Sequence, residues 1–256
     1  MKLFKKIFRS KYVIKIRNLI GVKPVAINLT NLKENYSISD GFLWRTDNKF
    51  KTIFKFSDLL RIFFNDKSSA IEIIFYNKNN QLLKKITKSD LEYSNTIIID
   101  KKFMNNISDY GIFYIYHKSD KILKSSIRNA CYTGYSYKNN LASFVHGNFP
   151  IAYKNLNSFE NNDTDDEIIT SFLFKKNRYK IQRYFKDLTK SEIFIQNPTK
   201  KKINFSVNNF NYQLDGLCAN IIDISNFNEI EIISDCSFFR PIVLNYKKNY
   251  IDVHHG

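Results

Sequence analysis

Two chain segments place histidine where a metal ion could bind. His146 lies in Phe144-Val-His-Gly-Asn148, and His254 and His255 lie in the terminal stretch Asp252-Val-His-His-Gly256. Imidazole nitrogens are good ligands for divalent transition metals. Side chains alternate along a strand, so only one of His254 and His255 could share a site with His146. The pattern therefore allows a metal-dependent enzyme (a hydrolase, isomerase or transferase) centred on His146 and a C-terminal histidine.

A second set of residues combines arginine with aromatic and small polar side chains. Only eight of the 40 basic residues are arginine, and arginine can bind a carboxylate or phosphate through two parallel hydrogen bonds. Tryptophan and tyrosine can stack on the face of a sugar. This set predicts a groove for an anionic saccharide; the alternative is buried ion pairs in an ordinary aromatic core. Its members are Asp40, Trp44, Arg45, Arg128, Tyr132, His146, Asn148 and Arg240.

Common catalytic and cofactor motifs do not occur in the chain. It contains no GxGxxG, GxxxxGK[ST], GxSxG or HExxH, and it has only seven glycines. The three cysteines, Cys131, Cys218 and Cys236, form no CxxC, and Cys131 and Cys218 have no local base. A disulfide framework is not expected, which fits a reducing cytoplasm. We expect no cofactor, with a divalent transition metal as the alternative, and the sequence favours a non-catalytic role.

Residues 1–21 are predicted to form a basic amphipathic helix. Leu3, Phe4, Ile7 and Phe8 share one face at helical spacing. Residues 1–33 contain nine lysines and arginines and no acidic residue. The helix could lie on an anionic membrane surface, which would place the protein at the inner face of the cytoplasmic membrane, or it could dock on a protein. The residues predicted to face the membrane are Lys2, Lys5, Lys6 and Arg9.

From Val22 onward the hydrophobic period changes from helical to two. Many short strands separated by Asn-, Lys- and Pro-containing turns are typical of sandwiches and barrels. The predicted strands are 24–29, 37–45, 50–56, 70–76, 81–87, 95–100, 110–117, 131–137, 141–146, 168–174, 179–185, 191–196, 202–207, 210–214, 218–224, 229–233, 240–246 and 249–254.

The strand pattern of the first half recurs in the second half. The order and spacing of strands from Phe50 to Tyr116 resemble those from Tyr179 to Ile233. An acidic, polar stretch at 154–167 separates the two parts. We therefore predict a mainly β protein of two tandem antiparallel β-sandwich units, jelly-roll or Ig-like, spanning 22–153 and 168–256. The predicted linker is 154–167, and the basic helix 1–21 precedes the first unit.

The formal charge of +16 raises the question of nucleic-acid binding. The chain holds 32 lysines and 31 asparagines, a bias that fits an AT-rich genome and weakens charge as a sign of binding. No helix-turn-helix or RNA-binding signature accompanies the charge. A nucleic-acid-binding protein is therefore the second alternative. Unpaired sheet edges also leave a homo-oligomer open as an expectation.

Several short motifs carry a family resemblance after residue 36. They are Ser39-Asp-Gly-Phe-Leu-Trp-Arg45, Tyr132-Thr-Gly-Tyr135, Phe144-Val-His-Gly-Asn148, Arg240-Pro-Ile242 and Asp252-Val-His-His255. The chain resembles uncharacterised β-rich proteins of bacterial surface-polysaccharide gene clusters. The resemblance implies an accessory or binding role in cell-surface glycan assembly, peripheral to the membrane, and it identifies no reaction.

Overall fold

The computed structural model describes most of the chain and confirms a mainly β protein. The described residues are 10, 12–13, 16, 34–129, 131–148, 150–157, 176–182, 188–236 and 240–256. From residue 34 onward they form nineteen strands and one short helix. Most of the predicted basic helix 1–21, including Lys2, Lys5, Lys6 and Arg9, lies outside these ranges and stays a prediction.

The first half of the described chain forms three sheets. Sheet I has the order β11-β1-β8, sheet II has β2-β7-β4-β5, and sheet III has β10-β9-β3-β6. Neighbouring strands are antiparallel except β1 and β8, which are parallel. Their bounds are β1 Tyr36–Asp40, β2 Phe42–Arg45, β3 Phe50–Ser57, β4 Ala70–Asn77, β5 Leu82–Lys88, β6 Ser94–Ile99, β7 Tyr110–Lys118, β8 Ile127–Arg128, β9 Tyr132–Tyr137, β10 Ala142–His146 and β11 Pro150–Asn155.

The second half forms two further antiparallel sheets. Sheet IV has the order β16-β13-β18-β19, and sheet V has β12-β17-β14-β15. The bounds are β12 Asn177–Gln182, β13 Lys190–Gln196, β14 Ile203–Val207, β15 Phe210–Leu214, β16 Ala219–Asp223, β17 Glu229–Ser234, β18 Ile242–Lys247 and β19 Tyr250–His255.

One short helix, α1 (Leu59–Phe64), interrupts the strands of the first half. The Asp58 side chain accepts a hydrogen bond from the backbone N–H of Arg61, and Asn65 ends the helix with a left-handed backbone. Both are common capping devices. Within the described ranges, no helix has the length and apolar character required to cross a membrane.

Alternating apolar residues build the three largest buried clusters of the described chain. Sheets II and III share the first-half core, which includes Phe42, Phe54, Ile73, Phe75 and Phe113. Sheets IV and V share the second-half core, which includes Ile193, Ile195, Phe205, Ile222 and Ile232. A shared core joins the halves and includes Leu43, Phe50, Tyr135, Phe194, Leu244 and Tyr246. The halves are therefore packed together, while their assignment as two sandwich units stays a prediction.

Two segments differ in detail from the sequence-based expectation. The predicted strand 37–45 is divided at Gly41 into β1, in sheet I, and β2, in sheet II. The predicted linker 154–167 begins inside β11, and Leu156 beyond it is fully buried against Leu60 and Ile127. Residues 158–167 lie outside the described chain, so the domain boundary itself stays a prediction.

Candidate ligand cavity

A cavity of about 330 Å³ opens where strands of sheets I and III end close to the start of β18. Six of the eight residues predicted to bind a ligand line it, although they are spread over 200 positions of sequence. The lining residues are Asp40, Arg128, Asn129, Cys131, Tyr132, His146, Gly147, Asn148 and Arg240. Trp44 and Arg45 are not among them.

One wall of the cavity is an arginine–carboxylate pair. Arg128 donates from Nε and Nη2 to the two carboxylate oxygens of Asp40, at 2.7 and 2.9 Å. Asp40 is buried and Arg128 is half exposed. The hydrogen bond to Asp40 raises the pKa of Arg128 above its ordinary value. Because each charge is neutralised by the other, this pair gives the wall shape and polarity but little net charge.

Arg240 supplies the positive charge of the cavity. Among the described residues, no hydrogen bond or ion pair is made by its guanidinium group, which is half-buried at the start of β18. Burial lowers the pKa of Arg240 below its ordinary value, and the nearby Asp40 carboxylate opposes that shift. Arginine remains charged throughout the physiological range. A half-buried, unpaired guanidinium facing a cavity is suited to binding an anionic group.

Two asparagines add unsatisfied hydrogen-bond acceptors near this cation. The side-chain oxygens of Asn148 and Asn129 are buried and accept no hydrogen bond in the described structure. The Asn129 amide nitrogen is within 2.6 Å of His117 Nε2 and donates to the Ser57 carbonyl at 3.2 Å, so its oxygen is the group left over. Such atoms are costly to bury unpaired, so a ligand hydroxyl or water that reached them would gain a hydrogen bond.

Gly147 allows the floor of the cavity to pack closely. A Cβ atom added at this position would lie 2.6 Å from the ring of Phe42 and 2.7 Å from Cβ of Asp40. Any larger residue would push the Asp40 side chain away from Arg128. The glycine between His146 and Asn148 is thus a packing requirement of the site, which the sequence pattern did not reveal.

The structure brings His146 together with His255. Strand β19 lies beside β10, and the Val253 N–H donates to Ser143 Oγ at 3.0 Å. The ring centroids of His146 and His255 are 4.6 Å apart, and His255 Nε2 lies 2.9 Å from the His146 carbonyl oxygen. Burial, with a smaller contribution from Arg240, lowers the pKa of His255 to about 4, so its ring is neutral near pH 7.

His254 points elsewhere, as strand alternation requires. Its Nδ1 lies 3.3 Å from the Asp252 carboxylate, on the face of β19 opposite to His255. Within the described ranges, no group of three or more His, Cys, Asp or Glu side chains is arranged to hold a metal ion. The predicted metal set of His146, His254 and His255 is therefore reduced in this geometry to the pair His146 and His255.

Trp44 and Arg45 are structural residues in this geometry. Trp44 is fully buried and donates from Nε1 to the Tyr76 carbonyl at 2.8 Å. Arg45 is 2% exposed and binds Asp47 through two hydrogen bonds and Glu192 at 2.6 Å. Both faces of β2 are covered, so neither side chain reaches the cavity. We therefore remove Trp44 and Arg45 from the candidate site.

The cysteine in the cavity wall has no features of a nucleophile. Cys131 is 1% exposed, and burial raises the pKa of its thiol well above the ordinary value. The thiolate is the reactive form of cysteine, so Cys131 acts here as a small apolar wall residue.

No family model matches the chain, and comparisons with curated proteins and with solved structures found no match.

Proposed function

We propose that the protein is a non-catalytic binding protein that holds an anionic saccharide in the cavity at Arg240 and serves in cell-surface glycan assembly. The observation that carries the proposal is the half-buried Arg240 guanidinium, which lines the cavity and has no ion-pair partner within the described chain. The cavity wall also contains two buried asparagine oxygens that accept no hydrogen bond, those of Asn129 and Asn148. The role in glycan assembly rests on the resemblance of the sequence motifs alone.

The residues that line the cavity can bind the charged group, the hydroxyl groups and the apolar ring face of an acidic sugar. Arg240 can bind a carboxylate or phosphate, and the buried oxygens of Asn148 and Asn129 can accept from hydroxyl groups. The Tyr132 ring is 54% exposed at the rim, where it can pack on the apolar face of a sugar ring. A volume of about 330 Å³ is near the lower end of small-ligand sites. We therefore expect one or two sugar units to be enclosed.

The proposed place of action follows from the N-terminal charge. A basic helix over residues 1–21 would hold the protein at the inner face of the cytoplasmic membrane through Lys2, Lys5, Lys6 and Arg9, or dock on a partner protein. The proposal treats the remaining chain as two packed β-sandwich units. The first-half and second-half cores support that arrangement, because each is shared by two sheets.

Substitution of Arg240 tests the proposal directly. We expect Arg240→Gln to weaken binding of glucuronate- or galacturonate-containing oligosaccharides by about 10- to 100-fold, since a hydrogen bond to a charged group contributes about 1.5–3 kcal/mol. Isothermal titration calorimetry should also show that wild-type protein prefers these ligands to their neutral glucose and galactose counterparts.

The matched control is Arg178→Gln, which removes the same charge from an exposed pair with Glu231. It should leave affinity within about twofold of wild type, as expected for an exposed charge that does not line the cavity. Equal binding of acidic and neutral oligosaccharides, or unchanged binding by a folded Arg240→Gln variant, would remove the support for an anionic ligand.

The second candidate function is a metal-dependent enzyme acting on a carbohydrate. The observation in its favour is the 4.6 Å separation between the ring centroids of His255 and of His146, which lines the same cavity. His255 Nδ1 has no hydrogen-bond partner in the described structure and is held neutral near pH 7. Neutral imidazole is the form that binds zinc and related metals.

Elemental analysis of untagged protein separates the two candidates. The binding-protein proposal predicts much less than one transition-metal ion per chain. It also predicts the same metal content in His146→Ala as in wild type. Near-stoichiometric metal that is lost in His146→Ala, but retained in His254→Ala, would favour the enzyme. The protein must be purified without chelator and without a histidine tag, because a tag supplies false ligands.

A further inference from the structure

A second cavity, of about 420 Å³, lies between the two halves of the chain and is strongly basic. Residues from both halves line it, and four of them are lysines. They are Asn48, Lys49, Tyr137, Lys138, Thr189, Lys190, Tyr246 and Lys248. None of these residues lines the Arg240 cavity.

Three strand-connecting turns converge to form this cavity. The turns are those between β2 and β3, between β9 and β10, and between β18 and β19. The Lys138 N–H donates to the Lys49 carbonyl at 3.1 Å, and Lys138 Nζ donates to Asn249 Oδ1 at 3.3 Å. The Asn140 side chain donates to the Asn249 carbonyl at 3.0 Å. These bonds hold the three turns in one arrangement, so their lysines are held near one another.

Three of the lysines carry charge that nothing in the described structure neutralises. Lys49, Lys138 and Lys248 form no ion pair with any described residue. Lys190 differs, because it binds Glu192 at 2.6 Å and lies 3.8 Å from Asp223. The nearby acids are already engaged: Asp47 pairs with Arg45, and Glu192 pairs with both Arg45 and Lys190. The residues lining the cavity therefore carry a net positive charge, which would attract an anion.

From this geometry we infer that the lysine cavity binds a multiply charged phosphate compound. Lysine ammonium groups bind phosphate oxygens as point charges, and several separated ammonium groups favour a ligand with several charges. A single carboxylate could engage only one or two of them. Because the lining comes from both halves, bound polyphosphate would also bridge the halves. This inference does not depend on the proposed saccharide site.

Inorganic tripolyphosphate is the probe, titrated into the full-length protein at fixed low salt. We expect it to bind more tightly than orthophosphate. The variant Lys49→Gln/Lys138→Gln/Lys248→Gln should weaken tripolyphosphate binding about 30-fold, roughly threefold for each exposed charge removed. All three substitutions lie in exposed turns, so circular dichroism should show the fold unchanged.

The control variant removes three charges elsewhere. Lys101→Gln/Lys102→Gln/Lys124→Gln alters exposed lysines and leaves the same net charge as the cavity variant. It should retain affinity for tripolyphosphate within about twofold of wild type. Equal weakening in both triple variants would overturn the inference, because binding would then follow total charge as in non-specific polyanion or nucleic-acid binding. Absence of tripolyphosphate binding to wild type would also overturn it.

Discussion

Replacing Arg45 with alanine is expected to lower the free energy of unfolding by about 3–5 kcal/mol. That is the usual cost when one partner of a buried ion pair is removed and the other is left without compensation. Arg45 lies on β2 of the first half, and its buried partner Glu192 lies on β13 of the second half, so the substitution removes a contact between the halves.

The cluster around Arg45 explains the size of the effect. Its guanidinium donates to Asp47 at 2.7 and 3.1 Å, to Glu192 at 2.6 Å and to the Tyr246 hydroxyl at 3.0 Å. The Tyr246 hydroxyl also donates to Glu192. The Arg45 cation lies 4.2 Å from the centroid of the Phe50 ring. Burial alone would raise the pKa of Glu192, but Arg45 and the hydrogen bonds lower it below the ordinary value.

Chemical denaturation of wild type and variant measures this loss. Arg178→Ala is the matched control, because the exposed Arg178–Glu231 pair should contribute no more than about 1 kcal/mol. The double variant Arg45→Ala/Glu192→Ala should lose less unfolding free energy than the sum of the losses in the two single variants. Each substitution removes the same interaction, so that interaction is lost only once in the double variant. A loss below about 1 kcal/mol for Arg45→Ala would show that the cluster does not hold the halves together.

The second large effect is expected for Glu72→Gln, again about 3–5 kcal/mol at neutral pH. Glu72 is fully buried on β4 and lies 2.7 Å from Lys118, 2.8 Å from Lys154 and 3.1 Å from Lys85. Lys118 is 5% exposed and Lys154 is 11% exposed, so both would lose their carboxylate partner inside the protein. The cluster joins sheets I and II.

The stability supplied by Glu72 should depend on pH in a defined direction. Burial alone would raise the pKa of Glu72, but hydrogen bonds from Lys118, Lys154 and Lys85 lower it to about 2. A carboxylate with a depressed pKa stabilises the fold fully above its unfolded value of 4.5 and loses that contribution as the pH falls toward 2. Between about pH 6 and about pH 3, the difference between wild type and Glu72→Gln should shrink by about 2 kcal/mol.

Urea denaturation at several pH values checks this expectation, and the difference between the two proteins isolates Glu72 from the other carboxylates. Glu231→Gln is the control, because its exposed pair should change stability by about 1 kcal/mol or less at any pH. If the difference in unfolding free energy between wild type and Glu72→Gln stays constant from neutral to acid pH, the result would contradict the electrostatic role assigned to Glu72.

Strand periodicity predicted much of the fold. The predicted strands 50–56 and 110–117 correspond to β3 (Phe50–Ser57) and β7 (Tyr110–Lys118). Both carry apolar residues that enter the first-half core. Other features depend on tertiary contacts. The two-residue strand β8 pairs in parallel with β1, and the chain passes from sheet I to sheet II at Gly41 without a turn motif.

Several residues of the candidate site could be predicted from the sequence, but two of the predicted residues do not line the cavity. The scarcity of arginine predicts Arg128 and Arg240, both in strand contexts, as site residues, and both line the cavity. Arg45 meets the same criterion and Trp44 is the one tryptophan of the sequence, yet β2 is covered on both faces. The alternation of apolar and polar residues in the sequence does not show that both faces of β2 are buried. Glu192, which binds the buried Arg45 side chain, is 147 residues away in sequence.

A crystal structure of the protein with a bound glucuronate-containing disaccharide tests the central claim most directly. The account predicts the sugar carboxylate about 2.7–3.2 Å from the Arg240 guanidinium, with the sugar ring beside Tyr132. It also predicts sugar hydroxyls donating to the side-chain oxygens of Asn148 or Asn129. A disaccharide bound elsewhere on the protein, or one whose carboxylate points away from Arg240, would contradict the account.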